Sequence, residues 1–277
     1  MHILSIGVSK SSPSHKLATG VDIVRFAFGL LSWFLFCTMG VSQTAPVALV
    51  IGNGEYAHVA DLKNATRDAQ AVALSLQRAG YQTTLIANAD RAEMLTALAK
   101  LRIAAGEASQ IVVYFSGHGA QQNGHGYLLG RDVPPHGVDL ARYAVSLQVV
   151  MRAISDKPRQ KIVFLDACRT PVSGSMAPLS GPALHFPAGT FVAFAAQPGA
   201  PAFDGVGSLS PFADALVSEI AGPTQTLGAA MRSIRRRVVA STGGQQVPWS
   251  IDVLLQEAKI GRGAATRKAA EAGLSGG

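Results

Sequence analysis

Two short stretches carry side chains able to do covalent chemistry: "YFSGHG", with His118 between Gly117 and Gly119, and "VFLDACR", an apolar run that reaches Cys168. A cysteine thiolate attacks carbonyl carbon, and an imidazole can protonate a leaving amine and then activate water. Backbone N–H groups at Gly119 and Cys168 are the natural donors for a tetrahedral oxyanion, since glycine lets a substrate approach the chain closely. This set meets the needs of peptide hydrolysis without a metal. Each residue also has a plainer reading. A single cysteine after an apolar strand can be an inert buried thiol, and a histidine between glycines can mark a turn. The flanking glycines leave His118 little side-chain packing, so it reads as presented rather than buried.

The elements that must position these residues alternate. "VALVIG" (47–52), "YQTTLIA" (81–87), "QIVVYFS" (110–116), "KIVFLDA" (161–167) and "TFVAFAA" (190–196) read as strands. Helical spacing occupies 68–80, 91–106 and 145–154, then "SPFADALVSEIAG" and "TLGAAMRSIRRRVVAS", and "SIDVLLQE" reads as a last edge strand. Such alternation implies an α/β fold with a mostly parallel sheet of about six strands, covered by helices on both faces. His118 and Cys168 then lie just past two strands, at the edge where function collects in open sheets. The Gly, Pro and Ser of 170–188 read as a mobile loop, and 259–277 as a flexible tail after a domain spanning 44–258.

The two stretches resemble the caspase-like cysteine peptidases of family C14, and most closely their bacterial metacaspase-like or orthocaspase branch. The separation of 50 positions between His118 and Cys168 fits the family's spacing. "ALVIGNGEY", "LKNATRDAQAVALSLQRAGY", "GYLLGRDVP", "FVAFAAQPGAPAFDG" and "SPFADAL" resemble it too, in order, over roughly 46–255. The resemblance implies the caspase-haemoglobinase fold and a Cys168/His118 dyad. It also implies a protein or peptide substrate.

Departures from the caspase pattern bear on that substrate. Caspases that cut after aspartate have Gln two before the cysteine and Gly two after it; here those positions hold Asp166 and Thr170. The metacaspase-like branch places aspartates at Asp166 and at Asp68 of "NATRDAQ", although Arg67 stands where that branch often has Asn. Two recessed carboxylates would bind a guanidinium or ammonium and repel an acid, so cleavage after Arg, then Lys, is expected. Ser116 is expected to line the same pocket, and Asp204 of "PAFDGVGSLSPF" resembles a substrate-facing loop of the family. Asp68 could equally be a carboxylate at a helix N-terminus, Asp166 a strand-end turn, Asp204 an Asp-Gly turn and Asp132 an orienting residue of "GRD". From Thr170 to Met231 there is no Lys or Arg, so a basic-specific enzyme is expected to leave the loop after Cys168 uncut.

The amino terminus, 1–43, reads as a signal peptide or membrane anchor. Its apolar run 26–41 follows Lys10, Lys16 and Arg25 and precedes "SQTAP". Export to the periplasm or medium, or anchoring through 26–41, is expected. Cys37 lies in this leader, so the exported domain holds one thiol and no internal disulfide. The net charge of +7 does not imply nucleic acid, because "RSIRRRVV" mixes its charges with Ile234, Val238 and Val239 as a wet helix face does. "IGNGEY" is too poor in glycine for a phosphate loop, and His125, His136 and His185 lack metal-ligand company. No cofactor or metal is expected, calcium activation is neither indicated nor excluded, and the chain is expected to be a monomer. Two rival functions stand: a caspase-fold interaction module without activity, and a thiol redox protein, which would lack a resolving cysteine.

Overall fold

The computed structural model describes residues 45–263, apart from 107, 136–137, 156–159, 172–185, 199 and 201, and describes the backbone alone at 168–171. Alternation along the central strands builds the molecule. In β1 (Val47–Gly52), Val47, Leu49 and Ile51 enter one core and Ala48 and Val50 the other. β3 (Gln110–Gln122) sends Ile111, Val113 and Phe115 to the first face, Val112 and Tyr114 to the second. β6 (Gln160–Pro171) and β7 (Thr190–Phe194) divide likewise. Burial on both faces is why these segments read as unbroken apolar runs.

Helices α1 (Ala65–Arg78), α5 (Pro211–Ala221) and α6 (Leu227–Ser241) cover the second face. Helices α2 (Arg91–Ala104) and α4 (Leu147–Ile154) cover the first. A short α3 (Leu140–Tyr143) packs at the side. The sheet runs β2–β1–β3–β6–β7–β9, with β2 (Gln82–Ala87) at one edge and β9 (Trp249–Val253) antiparallel at the other. Strands β4 (His125–Leu129) and β5 (Ala144–Ser146) extend it off that path.

Two expectations need correction. His118 and Cys168 lie inside strands, not past them: β3 and β6 stay paired in parallel from Gln110↔Gln160 to Gln121↔Pro171. The ladder outlasts the apolar run because β4 turns back through Asn123 and Gly124, both at positive φ. It then pairs with β3 where β1 has ended. The tail also starts later than Lys259. β10 (Lys259–Ile260) pairs with β8 (Gln225–Thr226), and Ile260 is fully buried. The leader and most of the 170–188 loop fall outside the described residues. Among those described, no helix is long and apolar enough to cross a membrane.

The contact that brings α1 to the sheet is steric. A Cβ on Gly52 would sit 2.5 Å from the Ala69 Cβ and 2.7 Å from the Ala65 carbonyl oxygen. Neither neighbour is a flexible chain end, so Gly52→Ala should cost about 1–3 kcal/mol and push α1 outward. Denaturant unfolding checks this; a loss below about 0.5 kcal/mol would mean the helix gives way freely.

Candidate active site

Register sets the geometry. Ser116 faces Asp166 across the β3–β6 ladder, and the next pair with the same alternation is His118 and Cys168. The two residue types able to do covalent chemistry are therefore laid side by side on adjacent strands, with Ser116 and Asp166 one pleat repeat behind them.

His118 is held from one loop. Its backbone N–H donates to the Tyr56 hydroxyl at 2.8 Å, and its Nε2 lies 2.7 Å from the Ala60 carbonyl oxygen. A carbonyl oxygen only accepts, so Nε2 carries the hydrogen and Nδ1 is left for proton transfer. The Tyr56 ring packs against the imidazole, centroids 4.7 Å apart and planes tilted by 51°. The histidine is thus half-buried and clasped, a correction to the expectation of little packing. The glycines admit the clasp: a Cβ on Gly117 would stand 2.8 Å from the Tyr56 hydroxyl. Gly119, the expected second oxyanion donor, is flanked in register by Leu128 of β4 and Arg169 of β6.

The acidic residues converge beneath this pair. Asp68, in the first turn of α1, accepts from the Ser116 hydroxyl at 3.2 Å and from the Ser210 backbone N–H at 2.8 Å. Asp166 accepts from the Ser210 hydroxyl at 2.5 Å and the Tyr114 hydroxyl at 3.2 Å. Ser210 caps α5 as well, its oxygen accepting from the Ala213 N–H. One residue therefore fixes both carboxylates and starts a helix. Asp204 is committed differently. Its carboxylate accepts the N–H groups of Lys63 and Asn64 at 2.8 and 3.1 Å, where Asn64 makes no side-chain cap of its own. It closes the N-terminus of α1 from a distant loop.

Asp68, Asp166, Ser116 and Ser210 are all buried, and among the described residues neither buried aspartate has a cationic partner. Burial pushes the Asp68 carboxyl up to about 6, opposed by the Ser210 and Ser116 hydrogen bonds and reinforced by the charge of Asp204. Burial, then the charge of Asp68, pushes Asp166 up to about 8. Tyr114 is driven up by burial and both acids, so it remains a donor.

Sequence reasoning did not find Ser210, Tyr114, Tyr56 or Ala60. Ser210 carried the signal of a helix cap before a proline, and Tyr114 that of core. Asp132 accepts from the Arg91 N–H, in keeping with an orienting role for "GRD", and the His125 ring pairs with Gln148 at 2.6 Å. His136 and His185 lie outside the described residues. Among those described, no group of three or more His, Cys, Asp or Glu is placed to hold a metal ion.

A raised carboxyl binds its proton more tightly folded than unfolded, so its contribution to stability is greatest below the unfolded value and is lost as pH climbs through the folded one. Asp166→Asn keeps an acceptor for Ser210 and Tyr114 without the charge. It should raise Tm by about 3 °C or more at pH 8.5 and leave it nearly unchanged at pH 4. A drop in Tm at pH 8.5 would show that the carboxylate stabilises the fold.

No relative was found among the curated proteins. Among solved structures the chain is similar to caspase-1 from Spodoptera frugiperda, with a TM-score of 0.60 and 15% identity over 78% of this chain and 89% of that one. At that identity the likeness shows the fold, an α/β sheet of mostly parallel strands between two helical layers. The family model described as the caspase domain matches residues 45–258. The chain belongs to the caspase-domain family of cysteine peptidases.

Proposed function

We propose that this caspase-domain protein is a cysteine endopeptidase that cuts after Arg, and less readily after Lys. Cys168 is the nucleophile, His118 the acid and base, and Asp68 and Asp166, with Ser116, the reader of the basic side chain. The observation that carries the specificity is the buried acidic pair, with no cationic partner among the described residues, one strand repeat behind the register-matched histidine and cysteine. Buried charge is expensive, and two acids held together by one serine concentrate that cost where an incoming guanidinium would relieve it.

In this reading the Cys168 thiolate adds to the scissile carbonyl. The oxyanion is met by backbone N–H groups at Cys168 and Gly119, and the His118 Nδ1–H passes its proton to the leaving amine. A water then adds to the thioester as Nδ1 takes the water's proton, and the C–S bond breaks to release the acid and return the Cys168 thiolate. Asp204 serves at one remove, holding the N-terminus of α1 and hence the position of Asp68. The substrates are proteins or peptides, in line with the family. The metacaspase-like affiliation, a leader or anchor at 1–43 and action as a monomer belong to the same proposal.

Matched fluorogenic peptides ending in Arg, Lys or Asp, with Cys168→Ala and His118→Ala as controls and calcium present or absent, test it. Arg-dependent turnover should fall by about a thousandfold or more in Cys168→Ala. No turnover with any peptide from folded protein would favour the interaction module. Peroxide turnover would favour the redox reading.

Two further outcomes follow. Because both acids are pushed up, the pocket gains negative charge as pH rises from 6 to 8. KM for the Arg peptide should therefore drop about tenfold over that range, and Asp166→Asn should flatten the trend. A pH-independent KM in the unaltered protein would separate the acids from substrate binding. Active protein should also keep an intact mass between 170 and 231; a cut there would contradict the specificity or the single-chain state.

A further inference from the structure

Tyr56 holds two surfaces of His118 at once. Its hydroxyl accepts the backbone N–H at 2.8 Å, and its ring packs on the imidazole at 4.7 Å between centroids. The tyrosine is itself fixed: its own N–H donates to the Asp61 Oδ1 at 2.8 Å, and the Ala57 N–H donates to the Arg131 carbonyl. The loop that starts at Tyr56 also delivers the Ala60 carbonyl to Nε2. Burial keeps the phenol protonated throughout the working range, so the group is a steady neutral partner rather than a base.

Apart from the β3–β6 ladder, the contacts described on His118 come from this one loop: the Tyr56 hydroxyl and ring and the Ala60 carbonyl. Gly117 precedes it and has no side chain, Gly119 follows it, and β1, which flanks β3 up to Ser116, has already ended. The ladder fixes the His118 backbone, and its glycine neighbours offer no side chain to hold the imidazole, which leaves that task to the loop.

We infer that Tyr56 is a positioning residue for the proposed reaction: with Asp61 locking its loop, it sets the height and tilt of the His118 imidazole against Cys168. This rests on the cysteine peptidase reading. It extends that reading to a residue lying outside the strands and away from the acidic pocket. Proton transfer to a leaving amine is steep in distance and angle, whereas binding of the basic side chain depends on Asp68 and Asp166, which Tyr56 does not touch.

The test separates kcat from KM on the Arg peptide in the full chain. Tyr56→Phe keeps the ring and removes the hydroxyl, and kcat should fall about tenfold with KM within about twofold and Tm within a few degrees. Asp61→Ala should reproduce that pattern, and Asp61→Asn, which retains Oδ1 as an acceptor, should restore most of kcat. Tyr56→Phe with kcat within about twofold of the unaltered protein, or with KM and kcat both moved about equally, would overturn the inference. If the unaltered protein itself turns over no Arg peptide, the peptidase reading fails, and the inference with it. An active protein indifferent to Tyr56→Phe sinks the inference alone.

Discussion

The parallel register between β3 and β6 is the constraint on which the site depends. A shift of one position would send Ser116 and Asp166 to opposite faces and part His118 from Cys168. The register is secured well away from the site. Val112, Val113, Tyr114, Phe115, Ile162, Val163 and Phe164 are buried on one face or the other, so a one-position slip would exchange differently shaped side chains between the two cores and bring Lys161 or Asp166 to a core position. The reactive end of the ladder, by contrast, is relieved of packing duty by its glycines, and that leaves room for Tyr56 and for a substrate backbone.

Beneath the ladder the protein tolerates an arrangement that costs stability. Two carboxylates share one serine in a buried space, and both are pushed toward their neutral forms. Ser210 limits the cost with a backbone N–H to one acid and a hydroxyl to the other, while its oxygen caps α5. Asp204 adds to the repulsion and is itself steadied by two N–H groups at the start of α1. Loop 204–210 therefore fastens α1, α5 and the β6 acid together, so helix placement and pocket chemistry are set by the same few hydrogen bonds.

Much of this was legible in the residues. The strands announced themselves because burial on both faces leaves no polar position in "VALVI" or "IVFL", and the ordered motifs pointed to His118, Cys168, Asp68 and Asp166. The ends of β3 and β6 were not legible, since glycines and polar residues continue a ladder only when a neighbour such as β4 arrives to pair with them. Ser210 stands before Pro211 where a helix cap belongs and is one; its second task arises only when α5 is laid over α1. Tyr114 looked like core for the same reason, its hydroxyl finding Asp166 across the ladder. Tyr56 and Ala60 act through a hydroxyl on a backbone N–H and a carbonyl on a ring nitrogen, contacts that no side-chain pattern announces.

The most direct measurement is covalent labelling with a peptidyl-arginyl chloromethyl ketone beside its aspartyl counterpart, with the modified residue located by tandem mass spectrometry. Labelling of Cys168 by the arginyl reagent at least about a hundredfold faster than by the aspartyl one, lost on removing the carboxylates of Asp68 and Asp166, is expected. Equal rates for the two reagents, or labelling that spares Cys168 in folded protein, would contradict a thiol nucleophile served by an acidic pocket.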